Sequence, residues 1–452
     1  MRWISPLRTS SDCGSRSRTR PTTDALISGV AARTTHKLIA RASVARFPAG
    51  AARDLGVVIR QLGVQRVVVA ALTREGPSLA LSLELLDGEQ THLWSRRLLR
   101  PVAELEQLCD DAARAIAGEV GASRAVASTS RDPAAYRAYL SGRFFWAKRD
   151  HASVLTAIEY FQKATELEPG YAQAWVGLAD SYLLLPWMGP TPRSAAHRKA
   201  QEALGRALLL DPDSPEAHAS RGNQLLEIEW SFLAAEAAFR RALELDPNNA
   251  TAHQWLAELL MLFRRFDEAD AEMLLALELE PLNAAVHKDR GKVLYYAGRY
   301  ADSEAASRKA IELDPGQPWA RQSLGYALGA QGRYDEALAA LRAEPRWQLS
   351  AMAPFVAVQE LWVASQRGDR AEATRAAEVV ERARLEQFAP WTVAFVAAVK
   401  GDVDAMLRAL DQALIQRDPF MPFTAVNREF DPYRADPRFM AIMTRAGLWP
   451  WR

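Results

Sequence analysis

The chain has 452 residues, 49% of them hydrophobic and 25% charged, with a formal net charge of +1. That length exceeds one compact core, so several domains or a repeat array are expected, while the near-neutral balance gives no electrostatic reason to expect nucleic acid or an anionic membrane as partner. Only Cys13 and Cys109 are present, far apart and without metal-type spacing, which argues against a disulfide framework or a zinc site and fits a reducing cytoplasm.

Residues 1–23 carry five arginines (2, 8, 16, 18 and 20), several Ser and Thr, and no apolar core. They do not read as a signal peptide. The expectation is a disordered basic leader, with a nucleic-acid or lipid arm as the alternative.

Residues 24–125 read as a small α/β domain. Short apolar runs at 38–41 and 67–71 have the character of buried strands. Residues 79–85 alternate leucine with smaller or polar residues, the period of a half-exposed strand. A turn at Glu75-Gly76-Pro77 joins these into a hairpin, and Asp87-Gly88 opens the next turn into a strand at 91–97. Helices are expected at 24–33, 51–62 and 102–120. A Ser/Thr/Ala-rich linker follows, 126–133.

From residue 134 the pattern changes. The tripeptides Leu167-Glu168-Pro169, Leu210-Asp211-Pro212, Leu245-Asp246-Pro247, Leu279-Glu280-Pro281 and Leu313-Asp314-Pro315 recur, and after one longer first step their prolines keep an almost constant spacing. A period of about 34 marks stacked helix–turn–helix units. The acid–proline pair stops each second helix, because proline lacks an amide donor and drives the residue before it out of the α region. Small residues recur where two helices of a unit must cross closely: Ala257, Ala269 and Ala276, then Gly291, Ser303 and Ala310, then Gly325 and Ala337. The longer step, from Pro169 to Pro212, holds an insertion at 186–192 with three prolines, expected as a loop that either packs on its neighbour or contacts a partner. Beyond residue 342 the period decays, although turns at 367–373 and 400–405 read as degenerate units. Residues 423–452 read as a capping segment that hides the last apolar face.

Trp175, Leu178-Ala179 and Tyr182 repeat the W-x2-L-G-x2-Y signature, and with the in-register small residues the array resembles the tetratricopeptide repeat family. That resemblance implies a mainly α fold: a right-handed α-solenoid of about eight helix pairs over 134–422, preceded by the small α/β domain. Residues 24–125 resemble the TolB-like module that precedes such arrays in bacterial signalling proteins. In those, a winged helix, a cyclase or a kinase usually lies further upstream.

No Walker A loop, G-x-G-x-x-G, H-E-x-x-H, G-x-S-x-G or C-x-x-C occurs, so a non-enzymatic chain without cofactor is expected. His218, His253 and His287 recur at the repeat period. A metal ladder is disfavoured, because equivalent helices stand roughly 10 Å apart and zinc bonds are near ~2 Å. Acidic residues with arginines at i,i+4, as in Glu236/Arg240 and Glu304/Arg308, read as solvated helix faces. The family resemblance places partner-binding side chains on the groove face of each first helix: Asn223; Gln254 and Glu258; Lys288, Lys292 and Tyr295; Gln322 and Tyr326. Lys288 and Lys292, one turn apart, suit a carboxylate or an acidic peptide. The expected function is a protein-interaction scaffold, with the regulatory part of a signalling protein as the alternative.

Overall fold

The computed structural model describes residues 7–9, 30, 59, 64–87, 89, 91–120, 132–146, 151–188, 193–343, 353–382 and 390–449. The chain divides into two compact units, one of residues 1–224, 237–253 and 275–282, the other of 225–236, 254–274 and 283–452.

The first unit opens with a four-stranded sheet in the order β1 (Leu7–Thr9), β2 (Arg66–Glu75), β3 (Ser78–Asp87), β4 (His92–Pro101). β2 and β3 pair antiparallel in full register, from Arg66 against Asp87 to Glu75 against Ser78. Gly76 turns the hairpin at φ 59°, a backbone region that costs a side-chain-bearing residue but not glycine. Asp87 closes the next turn by accepting amide bonds from Glu89 (3.0 Å) and Thr91 (2.8 Å). The leucines at 79, 81, 83 and 85 share one face, as period 2 demands, and bury against Leu108, Ala112 and Ile116 of α1 (Leu105–Val120).

One expectation is corrected here. The leader is not wholly disordered, because Leu7–Thr9 pairs parallel with Ala70, Ala71 and Leu72. Strand pairing needs only main-chain donors and acceptors, so no apolar pattern announced it. The helices expected at 24–33 and 51–62 and the strand at 38–41 lie outside the described residues, apart from single positions. What is described of the expected α/β module is therefore a small sheet covered by one helix, and the TolB-like likeness is not supported.

Helix pairs follow. α2 (Pro133–Trp146) starts behind Asp132, whose carboxylate accepts from the Ala134 amide at 2.6 Å. It pairs with α3 (His151–Leu167), and α4 (Ala172–Met188) with α5 (Arg193–Leu210). α4 runs through Pro186 to Met188, so the insertion begins as a last helical turn rather than a loop. Its remainder, 189–192, lies outside the described residues. Phe161 fills the crossings: a Cβ on Gly142 or Gly177 would lie 2.7 or 2.5 Å from its ring.

The array continues as α6 (Pro215–Gln224), α7 (Phe232–Leu245), α8 (Ala250–Leu262), α9 (Phe266–Leu279), α10 (Ala284–Tyr296), α11 (Tyr300–Leu313), α12 (Ala320–Ala330), α13 (Tyr334–Arg342), α14 (Ala353–Arg367), α15 (Arg370–Arg382), α16 (Pro390–Lys400) and α17 (Val403–Ile415). Among the described residues this makes eight pairs, and the fold is mainly α. The small residues expected at crossings are buried: Ala257, Ala269, Ala276, Ser303, Ala310 and Ala337.

Within the second unit the corner between paired helices is left-handed at Trp230, Arg264, Gly298, Gly332, Gly368 and Gly401. Glycine takes this conformation freely, while Trp230 and Arg264 hold it at a local cost that the surrounding packing offsets. The residue after three of these corners, Arg265, Arg299 and Arg333, reaches two carboxylates: Glu236 and Glu268, Asp270 and Asp302, Glu304 and Glu336. Glu236 is thus bound from 29 residues along the chain. Glu304 does face Arg308 as expected, at 2.9 Å, and adds Arg333 from the next unit.

Candidate partner-binding face

In the second unit the first helices of successive repeats carry equivalent positions one period apart: Gln254, Lys288 and Gln322 in one row, Glu258, Lys292 and Tyr326 in the next. α10 is set by Asn283, whose side chain accepts from the Ala285 amide at 2.9 Å. Its Lys288 and Lys292 do not stand free for an acidic partner. Asp289, with 4% of its side chain exposed, lies between them: Lys288 bonds it, Lys292 sits 3.4 Å away, and the Gln254 amide donates to it at 2.6 Å. Lys292 also bonds Glu258 at 2.7 Å. Burial works to push the Asp289 carboxyl up, but Lys288 and Lys292 outweigh it and hold it below the usual carboxylate range. Burial likewise opposes the charge on Lys292, and Glu258 and Asp289 more than restore it. Two ammoniums and two carboxylates cancel, so this patch offers a partner polar texture rather than net charge.

Beside this cluster runs a row of rings. Tyr295 stacks on Tyr326 at 5.6 Å between centroids, and Tyr326 meets Trp362 of α14 edge-on at 4.9 Å. Tyr296 and Tyr300 flank Tyr295 at 5.2 and 5.8 Å. Tyr295 is therefore buried within the stack and is not an open contact residue. Gln322 and Tyr326 are half-buried, 3.5 Å apart across one turn.

The chain covers this face with itself. After α17, two 3-10 turns (Met421–Ala425 and Arg428–Tyr433) lie against it. Phe423 sits 6.4 Å from the Tyr296 ring and 5.7 Å from the Lys292 amine. The Tyr296 hydroxyl donates to Asn427 Oδ1 at 3.5 Å, the Trp362 indole donates to Glu429 Oε1 at 2.6 Å, and Arg428 lies over the Tyr300 ring. The other side of the same segment is tied down: the Trp391 indole donates to Thr424 at 2.9 Å, Asp418 accepts from the Trp391 and Phe420 amides at 3.0 Å, and Phe430 is buried beside Trp391 and Phe439. α18 (Pro437–Arg445) completes the tail against α17. The expected cap thus also crosses the first-helix face. Next to Phe423 a cleft of about 360 Å³, counted with its open side, is lined by Leu226, Trp230, Glu258, Met261 and Pro422.

Asn223 belongs to the first unit, half-buried on α6. The histidine series has a structural task. His218 Nε2 lies 2.8 Å from the Pro212 carbonyl and His253 Nε2 3.1 Å from that of Pro247, six residues before each. Trp175 donates to Pro169 at 3.0 Å from the same position, and Arg321 to Pro315. At these four corners a donor six residues after the proline satisfies a carbonyl that the helix break leaves open. This was legible in the repeat alignment as a column of Trp, His, His, His and Arg. Among the described residues no group of three His, Cys, Asp or Glu could hold a metal, and no helix is long and apolar enough to cross a membrane.

A tetratricopeptide repeat family matches residues 231–290 and 294–350, and a second repeat family of the same description matches 264–318. These units are tetratricopeptide repeats. The corner, crossing and carbonyl-capping positions above are their recurring parts. A curated relative, putative adenylate cyclase 3 of Rhizobium meliloti (strain 1021), is 27% identical over 183 residues, covering 37% of this chain and 30% of that protein. The matched stretch spans less than a third of the relative's length. Among solved structures the chain is similar to PilF of Pseudomonas aeruginosa, at 22% identity, 47% of this chain, 91% of that one and a TM-score of 0.37. It is also similar to PilW, a type IV pilus biogenesis factor, at 19%, 48%, 93% and 0.39. Both are likenesses of helix pairs alone.

Proposed function

We propose that this chain is a non-catalytic scaffold that binds a protein or peptide through the first-helix face of its tetratricopeptide repeats. The observation that carries this reading is the face itself. Its tyrosines, Trp362 and Lys292 already hold a stretch of chain from outside the repeats, 418–434, by ring contacts and single hydrogen bonds. A surface that seats polypeptide this way suits another segment of polypeptide. The neutralised lysine cluster argues for recognition by shape and hydrogen bonding over attraction to an acidic peptide. The test is affinity capture from the native cell with the full chain and with Gln322→Arg, a half-buried position on this face. A defined partner lost in the variant, at unchanged circular dichroism, supports the reading. A partner held equally by both removes this face as its site.

A second reading rests on the likeness to a putative adenylate cyclase. The chain would be the regulatory part of a bacterial signalling protein, its sheet and repeats sensing a partner for an effector domain. A cyclase, winged-helix or kinase region in the same reading frame or operon supports it.

A further inference from the structure

The segment 418–434 is not part of any repeat, yet it meets groups that the repeats present in series. Among the groups it meets on the repeats are Lys292 and Tyr296 of α10, Tyr300 of α11 and Trp362 of α14. The segment approaches as two short 3-10 turns, so its side chains reach the face singly and not as a packed helix stripe. Two of them carry the recognition. Phe423 lies on Tyr296 and under the Lys292 amine, and six residues later Glu429 gives its carboxyl oxygen to the Trp362 indole.

We propose, building on the scaffold reading, that residues 418–434 are a built-in stand-in for the partner, and that the partner is a protein segment bearing an aromatic ring and, about six residues on, a side chain with an oxygen acceptor. The ring takes the place of Phe423 and the acceptor that of Glu429. Burial pushes the Glu429 carboxyl above its ordinary range, with the Trp362 bond and Arg428 only partly opposing, so the site does not demand negative charge. A carboxamide serves as well as a carboxyl. The tethered segment competes at an effective concentration on the order of millimolar, so a partner enters only by beating it.

The experiment uses a fluorescein-labelled peptide of sequence 418–434 and reads its anisotropy against three full-length chains: wild type, Phe423→Ala/Glu429→Ala, and that double variant with Trp362→Phe. The double substitution loosens the tethered copy without altering the face. The expected result is peptide binding at least tenfold tighter to the double variant than to wild type. That gain falls several-fold when Trp362→Phe removes the indole donor. A peptide carrying the two alanines binds neither chain, and one with glutamine for the glutamate binds as well as the original. A double variant with wild-type melting and no gain in peptide affinity overturns the proposal, as does equal binding of the alanine peptide. Should the double variant fail to fold, Trp362→Phe in the otherwise wild-type chain decides by hydrogen exchange. Amides of 419–434 exchange faster if the segment rests on this face, and unchanged exchange overturns the proposal. A loosened chain that takes the peptide but captures no cellular partner leaves this inference standing and removes the scaffold reading. Equal capture of a partner by loosened and wild-type chains does the reverse.

Discussion

The helix crossing at Gly325 offers the sharpest test of the repeat packing. A Cβ at this position would lie 2.5 Å from Leu341 Cγ, 2.7 Å from its Cδ2 and 3.2 Å from the Ala337 carbonyl oxygen, where carbon pairs prefer about 3.5–4.0 Å. Leu341 is itself buried, and its branch point, not a free end, is in the way. Gly325→Ala therefore overpacks the crossing, at roughly 1–3 kcal/mol. Alanine returns about 0.8–1 kcal/mol of helix propensity, so a net loss of roughly 0–2 kcal/mol is expected. Leu341→Ala alone opens a cavity and costs roughly 2–5 kcal/mol. In the double variant the new methyl enters space that Leu341 has vacated. The pair should then be no less stable than Leu341→Ala, a favourable coupling of about 1–3 kcal/mol. Urea unfolding followed by tryptophan fluorescence measures all four corners of the cycle, with an unchanged m-value confirming that the same surface unfolds. Additivity within about 0.5 kcal/mol, or a stabilised single variant, would refute the close crossing.

Three further outcomes follow from the described geometry. Lys292→Met removes the ammonium bonded to Glu258, which is less than a third exposed, and leaves Asp289 with Lys288 and Gln254, so it should cost roughly 1–3 kcal/mol in urea unfolding, partly recovered by adding Glu258→Gln; a loss under about 0.5 kcal/mol would mean the cluster is effectively solvated. Because burial raises the Glu429 carboxyl, its favourable contribution is present below the unfolded value near ~4.3 and is lost as pH rises through the higher folded value. Glu429→Gln, which keeps the acceptor for Trp362 but cannot ionise beside Arg428 and Asp431, should thus gain in melting temperature over wild type from pH 4 to pH 7, and a pH-independent difference contradicts this. Burial pushes the Cys109 thiol up to about 12 despite its bond with Tyr136, so at pH 8 a thiol reagent should modify Cys109 only after denaturation, as read by peptide mass spectrometry.

The repeat architecture was legible because it is written in near-neighbour terms. Pro247, Pro281 and Pro315 stop helices locally, and Ala269, Ser303 and Gly325 are small because the adjacent helix must pass close by. Such constraints recur at each unit, so a period exposes them without knowledge of the whole. The hairpin at Gly76 was legible for the same reason. The family resemblance also placed Gln254, Glu258, Lys288 and Lys292 on one face, but their pairing came from contacts between neighbouring repeats that no local rule assigns: Lys292 to Glu258, Gln254 to Asp289. The strand at Leu7–Thr9 needed only main-chain complementarity and left no trace in residue type.

The tail shows the division most plainly. In the sequence, residues 423–452 read as a lid for the last apolar surface; in the structure Phe430 lies beside Trp391 and Phe439. Its passage over the rings of Tyr296 and Trp362 was not foreseeable, since the Tyr296–Asn427 contact spans 131 residues and belongs to no period. A repeat encodes what its neighbour must be. Where an aperiodic segment comes to rest depends on which distant surface loses most by staying in water, and only the folded chain contains that comparison.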